Sequence, residues 1–324
     1  VALTIGPADA PPLRLCDAST LRPHAPARAA NPAVRATQSS LACATTAMRF
    51  ATECIAQLET LAQRHTLPRV QALHLPPEPA PGQARGEFCA LALEDGSLGL
   101  SYVLLDDTLA QLRQHDASLG LAGADVLAVA RQFACGHGAQ RAIGLAAANA
   151  LTRWLFDRAG YVPPASSDSL GALDPQPGDH IGMIGLFTPL LPRVLASGAA
   201  LTVVELKAHL AGAHEGYQVT LDASALRHCN KVLSTGTLVL NDTLDAMLAH
   251  CRQAQWLALV GPSMGCLPDA LFARGVTLIG GTWVLDGAAY VDALQRGAQR
   301  SGLSHKVAIK ATAYPGLAAL LARC

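Results

Sequence analysis

The sequence predicts an α/β protein in two parts, an α+β half followed by a half organised on a parallel sheet. Three observations predict it. Between about residues 70 and 105 apolar runs come first, and helical patterns follow them, the order of an α+β unit. After residue 180 short apolar runs alternate with helical patterns, which indicates parallel strands joined by crossover helices. Between the two lie Tyr161-Val-Pro-Pro-Ala-Ser-Ser and Asp174-Pro-Gln-Pro-Gly, dense in turn formers, which mark a linker over 161–179.

Each element has its own justification. Residues 1–35 are rich in Ala and Pro without periodicity and read as an extended arm. Leu41, Met48, Ile55, Leu58 and Leu61 recur at near-helical spacing, so a helix is expected over 36–63, ended by Pro68. Strands follow at Val70–Leu75, Glu87–Leu93 and Leu98–Leu105, the last two joined at Asp95-Gly96, a pair suited to a tight hairpin turn. Helices at Thr108–His115, Ala124–Phe133 and Ala139–Ala159 complete a unit over 36–160. In the unit over 180–324, strands are expected at His180–Ile184, Ala200–Glu205, Lys231–Leu233, Trp256–Val260, Val276–Gly280 and Lys306–Ile309. Helices are expected at Leu190–Ser197, Asp242–Gln253, Pro268–Ala273 and Gly287–Ser301.

Composition excludes several functions. Of 324 residues, 51% are hydrophobic and 15% charged, which suits a buried core and opposes wholesale disorder. The 24 basic and 24 acidic residues cancel without a basic block, and aromatics are 4%, so nucleic acid is not an expected partner. Nine scattered cysteines without Cys-x-x-Cys read as reduced thiols. No apolar run is long enough for a membrane span and no export signal opens the chain, so the expectation is a cytoplasmic protein with no membrane partner.

The informative stretch is 182–205. Gly182-Met-Ile-Gly185-Leu-Phe187-Thr-Pro is a strand running into a glycine turn, and Leu-Thr-Val-Val-Glu205 is a second strand ending on a carboxylate. The spacing from Gly182 to Glu205 approximates that of a dinucleotide fingerprint, although Gly-x-Gly-x-x-Gly itself is missing. An acid ending an apolar strand belongs at the carboxyl edge of the sheet, where ligands bind. Three more clusters read as strand-end loops: Ser234-Thr235-Gly-Thr running to Asn241, Gly261-Pro262-Ser263-Met-Gly, and Gly280-Gly-Thr282. Four such loops in one half argue for a shared pocket. For Asn241, a helix N-cap is the simpler role. The pairs His209/His214, Cys135-x-His137 and His228-Cys229 lack recognised zinc spacing. Gly-x-Ser-x-Gly, a Walker loop and His-Glu-x-x-His are absent from the sequence.

These residues carry a resemblance. Gly182-Met-Ile-Gly-Leu-Phe-Thr-Pro-Leu, Val-Val-Glu205, Ser234-Thr-Gly-Thr-x-x-x-Asn241-x-Thr243-Leu, Val260-Gly-Pro-Ser-x-x-x-Leu-Pro268 and the stretch from Leu271 to Thr282 resemble the putative heavy-metal chelation family. Residues 69–158, with Gly144-Leu-Ala-x-x-Asn149-Ala, are similar to that family's amino-terminal partner domain. The resemblance implies an enolase-N-terminal-like α+β domain, a Rossmann-like α/β domain, and a ligand pocket where they meet. It assigns pocket positions to Gly185, Phe187, Glu205, Ser234, Thr235, Asn241, Gly261, Pro262, Ser263 and Thr282. The chain departs from the pattern in its Ala-rich amino-terminal region and in Cys266, which puts a thiol near the expected pocket.

Three functions follow as expectations. The first is a protein binding a small molecule or metal chelate, or an enzyme of metal-chelator biosynthesis or metal handling, its cofactor left open with a divalent metal as one candidate. Glu205 would supply charge, the hydroxyls orientation, and the backbone N–H groups after Gly185 and Gly261 an anion site. The second is an enzyme using NAD or S-adenosylmethionine in the same crevice, and the third a non-catalytic scaffold. Cys266 is the nearest candidate nucleophile, but nothing in the sequence activates it. A homo-oligomer is compatible with all three.

Overall fold

The computed structural model describes residues 49–78, 87–114, 120–168, 170 and 172–324. The expected arm over 1–35 and the start of the first helix lie outside the described residues.

The first half builds a three-stranded antiparallel sheet, β1 (Val70–His74), β2 (Phe88–Leu93) and β3 (Leu98–Tyr102), in the order β1-β2-β3. Gly96, at φ +90°, turns β2 into β3, but the loop is Glu94-Asp95-Gly96, closed by the Leu93 N–H on the Ser97 carbonyl, one residue longer than the tight turn that Asp95-Gly96 suits. Four helices cover it: α1 (Phe50–Ala62), α2 (Thr108–Gln114), α3 (Val126–Cys135) and α4 (Gly138–Arg158). Asp125 caps α3 by accepting from the N–H groups of Leu127 and Ala128. In α4 apolar and small residues run all round, and most of its 21 residues are buried. It lies so close to β3 that a side chain at Gly99 would overlap the Ala146 carbonyl and the Ala150 amide. Sheet-before-helix order thus gives the α+β layout expected; the enolase-like shape stays an implication of the resemblance.

The second half is one eight-stranded sheet. Its strands are β4 (His180–Ile184), β5 (Ala200–Val204), β6 (Gly212–His214), β7 (Tyr217–Thr220), β8 (Lys231–Thr235), β9 (Trp256–Val260), β10 (Leu278–Val284) and β11 (Ser304–Lys310). The order is β11-β10-β9-β8-β4-β5-β7-β6, and all neighbours are parallel except the two edge pairs. Counting only the parallel strands gives 3-2-1-4-5-6, the order of a dinucleotide fold, with its switch point between β4 and β8. The helices here are short: α5 (Leu191–Leu195), α6 (Leu244–Leu248), α7 (Asp269–Phe272), α8 (Gly287–Gln295) and α9 (Leu317–Leu321).

Side chains alternate across this sheet, as the two-residue period requires. Ile181, Met183, Val203 and Leu233 pack on one face with Leu170, Leu173 and Val194 of α5. Ile184, Val204, Val232, Leu257 and Leu259 pack on the other, in one core with Ile55, Leu58, Phe133 and Leu151 of the first half. The two halves therefore share a core. The segment read as a linker also packs down: Pro164 accepts from the Ala308 N–H, and the Ser166 N–H donates to Lys306.

Two features differ from the sequence expectations. The hairpin of β6 and β7 is not among them, and it supplies a parallel strand beside β5. His214 lies in it, stacked on Tyr217 with centroids 4.8 Å apart, and His209 lies in the short helical turn before it. Gly280-Gly281-Thr282 is interior to β10, not a loop. A Cβ at Gly281 would lie 2.6 Å from the Met264 carbonyl oxygen, so these glycines let the Gly261–Cys266 loop approach the sheet.

Asp179 anchors the start of β4 through Lys231 (2.7 Å), the Asn230 amide and the Gln176 N–H. Burial works against its ionisation, but these donors win and hold the carboxyl below the usual carboxylate range. A depressed folded-state pKa adds stability that is present above the unfolded value of about 3.9 and lost as pH falls through the folded one. Melting at pH values from about 5 down to 2 is expected to show Asp179→Asn losing less stability on acidification than the wild type. Equal losses would show that this carboxylate is not held as described.

Candidate ligand cleft

A cleft of about 570 Å³ opens at the carboxyl ends of β4, β5, β8 and β9, at the switch point of the sheet. Each strand ends there for a local reason. Gly185 at φ +84° turns the chain out of β4, and its N–H donates to the Val204 carbonyl at 2.9 Å. Glu205 caps the end of β5. Its Oε1 accepts from the Leu186 N–H (3.2 Å), and its Oε2 accepts from the N–H groups of Leu206 (2.7 Å) and Lys207 (3.2 Å). The carboxylate thus ties two strand-end loops together. After β8, Thr235 Oγ1 accepts from the Thr237 N–H and lies 3.2 Å from the Thr237 hydroxyl. After β9, Gly261 at φ +146° carries the chain into Pro262 and Ser263.

The first half supplies the opposite wall with Phe88, Tyr102, Leu104, Leu105 and Asp106. Phe88 and Tyr102 meet edge to face at 5.6 Å, and half-burial pushes the Tyr102 phenol upward, so it stays a neutral donor. Two bonds fix the walls together. The Tyr102 N–H donates to Ser263 Oγ at 2.9 Å. Asn149 Nδ2 donates to both the Leu100 carbonyl (2.7 Å) and the Ser263 carbonyl (2.9 Å).

Of the ten positions assigned in sequence, the cleft brings together Gly185, Phe187, Glu205, Thr235, Asn241, Gly261, Pro262 and Ser263. Ser234 is not among its walls: it is fully buried under the rim, and its hydroxyl donates to the Thr235 carbonyl. Thr282 lies instead in a small cavity beyond the Gly-Pro-Ser loop, with Asn149, Arg153 and Trp283. Cys266 lines that same small cavity and is buried, so its thiol is not among the walls of the cleft. A hydrogen bond to Cys266 and burial push the neighbouring Cys54 thiol upward, keeping it protonated. Asn241 does not cap α6. Its Oδ1 accepts from the N–H and hydroxyl of Thr243, two residues on, and Thr243 takes the cap position.

The expected anion site after Gly185 is spent. The Leu186 N–H goes to Glu205 and the Phe187 N–H to Met183 Sδ at 3.4 Å. Pro262 has no N–H, and the Met264 N–H returns to the Gly261 carbonyl. Sequence reasoning missed Tyr102, Asp106 and Lys207. Asp106 could have been found by the argument used for Glu205, since it follows directly on the apolar run ending at Leu105.

The fold and this cleft define an α/β protein with a crevice between two halves. Residues 168–313 match the sequence family described as putative heavy-metal chelation, and residues 86–152 match a second family of the same description. The chain belongs to the putative heavy-metal chelation family. Its fold is similar to crystal structures of two family members of unknown function. One, from Desulfitobacterium hafniense, is 21% identical with a TM-score of 0.57, covering 79% of this chain and 96% of its own. The other, from Pyrococcus horikoshii, is 19% identical with a TM-score of 0.57, covering 81% and 98%. An uncharacterised protein of Methanocaldococcus jannaschii is 25% identical over 193 residues, 59% of this chain and 71% of that one. Among the described residues no helix is long and apolar enough to cross a membrane.

The family's description implies a metal, and the donors along the cleft do not fit a bare ion. The carboxylates lining it are Glu205 and Asp106, and both oxygens of Glu205 already accept from backbone N–H groups. A transition-metal site needs three or four converging ligands. Among the described residues no three His, Cys, Asp or Glu side chains gather in that way.

Proposed function

We propose that this protein binds an organic small molecule in the cleft, and that any metal arrives as a complex with that molecule. The observation that carries this reading is the cleft itself. It lies at the switch point, has the volume of a small-molecule site and mixes an apolar wall with a few placed polar groups. Phe88, Phe187 and Leu104 would cover apolar parts of the ligand. The hydroxyls of Thr235, Thr237 and Tyr102 and the Asn241 amide would orient it. Glu205 would hold the two strand loops in place and offer its remaining lone pairs to a ligand N–H or O–H. Such a role suits metal handling or chelator metabolism.

The strand order and the position of Glu205 favour a second reading, an adenosine-bearing cofactor. Against it stand the spent N–H groups of the first loop, which a pyrophosphate would need.

Thermal melts separate these readings. Ni²⁺, Co²⁺ and Zn²⁺ are offered alone and as histidine or citrate complexes, beside NAD and S-adenosylmethionine. A complex at ~100 times its dissociation constant is expected to stabilise by about 2.7 kcal/mol, while the bare ions leave the midpoint unchanged. Glu205→Gln, which replaces an acceptor oxygen by a donor facing N–H groups, is expected to weaken that response by about tenfold. Saturable stabilisation by a bare ion, abolished in Glu205→Gln, would overturn the reading. A response to NAD or S-adenosylmethionine alone would replace it with the second.

A further inference from the structure

The cleft continues into an annex of about 240 Å³, sharing with it the walls formed by Tyr102, Leu105, Asp106 and Asn241. Its far side is closed by Arg141, on the first turn of α4, with Thr108 and His137 beside it. Of the charged residues on α4, Arg141 is the buried one, and a buried ion must be compensated.

The compensation of Arg141 is incomplete. Its side chain is only 7% exposed. Nε and Nη2 both donate to the Val239 carbonyl, at 3.1 and 3.0 Å, and Nη2 also donates to Asp242 Oδ1 at 3.1 Å. Nη1 has no hydrogen-bond partner among the described residues. Asp242 is shared as well, since its other oxygen pairs with Arg49. Two guanidinium groups thus divide one carboxylate. Asp242 sits at φ +60°, a left-handed position uncommon for aspartate, which brings its carboxylate to both arginines. The guanidinium rests on the Phe133 ring, 5.1 Å from its centroid, which fixes its plane. The amino-terminal end of α4, 21 residues long, adds a positive potential on the same side, and no side chain caps it. The opposing charges are Asp242, which also lines the annex, and Asp106, which stands at the neck shared with the cleft and also has a left-handed backbone, at φ +50°.

We propose that the annex is a subsite for an anionic group, a carboxylate or a phosphate, taken by Arg141 Nη1 with Thr108 beside it. This rests on the reading of the cleft as a ligand site and adds the chemistry of one end of the ligand. The ligand would lie with its apolar part on Phe88 and Phe187 and its acid in the annex. The guanidinium is already buried and oriented, so little ordering cost remains to be met on binding.

The test uses inorganic phosphate and acetate as probes, titrated at constant ionic strength into the wild type, Arg141→Gln, Asp242→Asn and Glu205→Gln, with the melting midpoint as readout. The wild type is expected to show a saturable rise with one of the two anions, and the responding anion identifies the group as phosphate or carboxylate. Arg141→Gln is expected to lose about tenfold or more in affinity for it. Asp242→Asn removes a negative charge from the annex wall and from beside the guanidinium, so its affinity is expected to rise about threefold or more. A merely structural arginine would give no such gain. Glu205→Gln is expected to keep the wild-type anion response, so a failed cleft reading remains distinguishable from a failed annex. No saturable response in the wild type, or an unaltered one in Arg141→Gln, would overturn the proposal. Should Arg141→Gln not fold, Asp242→Asn decides alone, and an unchanged or weaker affinity there also overturns it.

Discussion

Gly99→Ala is expected to cost roughly 3 kcal/mol or more and to lower the melting midpoint by about 6 °C or more. The added methyl would overlap the Ala146 carbonyl oxygen and the Ala150 amide nitrogen, and both are backbone atoms of α4. No rotamer change relieves such an overlap; either β3 or the whole helix must shift. The helix cannot shift freely, because Ala142, Leu145, Leu151 and Leu155 are buried in the main core. Gly144 raises the same barrier on the side of α3, where a Cβ would overlap the backbone of Phe133. Denaturant unfolding of Gly99→Ala beside the wild type checks this. A loss below about 1 kcal/mol would show that β3 and α4 are not in backbone contact.

The second large effect is expected at Asn149. Its amide nitrogen bridges the Leu100 carbonyl of β3 and the Ser263 carbonyl of the loop after β9. Asn149 itself is 3% exposed. Asn149→Ala leaves two carbonyl groups unpaired, each costing about 1–3 kcal/mol, so a loss of roughly 2–5 kcal/mol is expected. The damage should also reach the cleft, since Ser263 holds the Tyr102 N–H. A ligand that stabilises the wild type is therefore expected to bind Asn149→Ala about tenfold more weakly. Lost stability with unchanged ligand affinity would separate Asn149 from the site.

Parts of this architecture are written locally. The apolar runs His180–Ile184 and Trp256–Val260 are strands at those boundaries, because glycine or polar residues punctuate both. Glu205 falls at the sheet edge for the same local reason. Other parts depend on distant contacts. Gly280-Gly281 has the composition of a turn, yet it lies in a strand because the Met264 carbonyl requires a surface without side chains. The hairpin of β6 and β7 is too short and polar to show a period, and it is recognisable only once β5 provides an edge. Thr282 was misplaced with its glycines. Nothing local sets Arg141 apart from the other charges of α4, because its burial depends on the second half closing over it.

The continuous core has a consequence for how the molecule behaves. Ile184, Val204, Leu257 and Leu259 lie under helices that precede residue 160. Cut at that point, each piece would turn a broad greasy face to water. The two halves of this chain are therefore not separable modules. They rise and fall together as one cooperative body, and the crevice between them is a seam rather than a hinge.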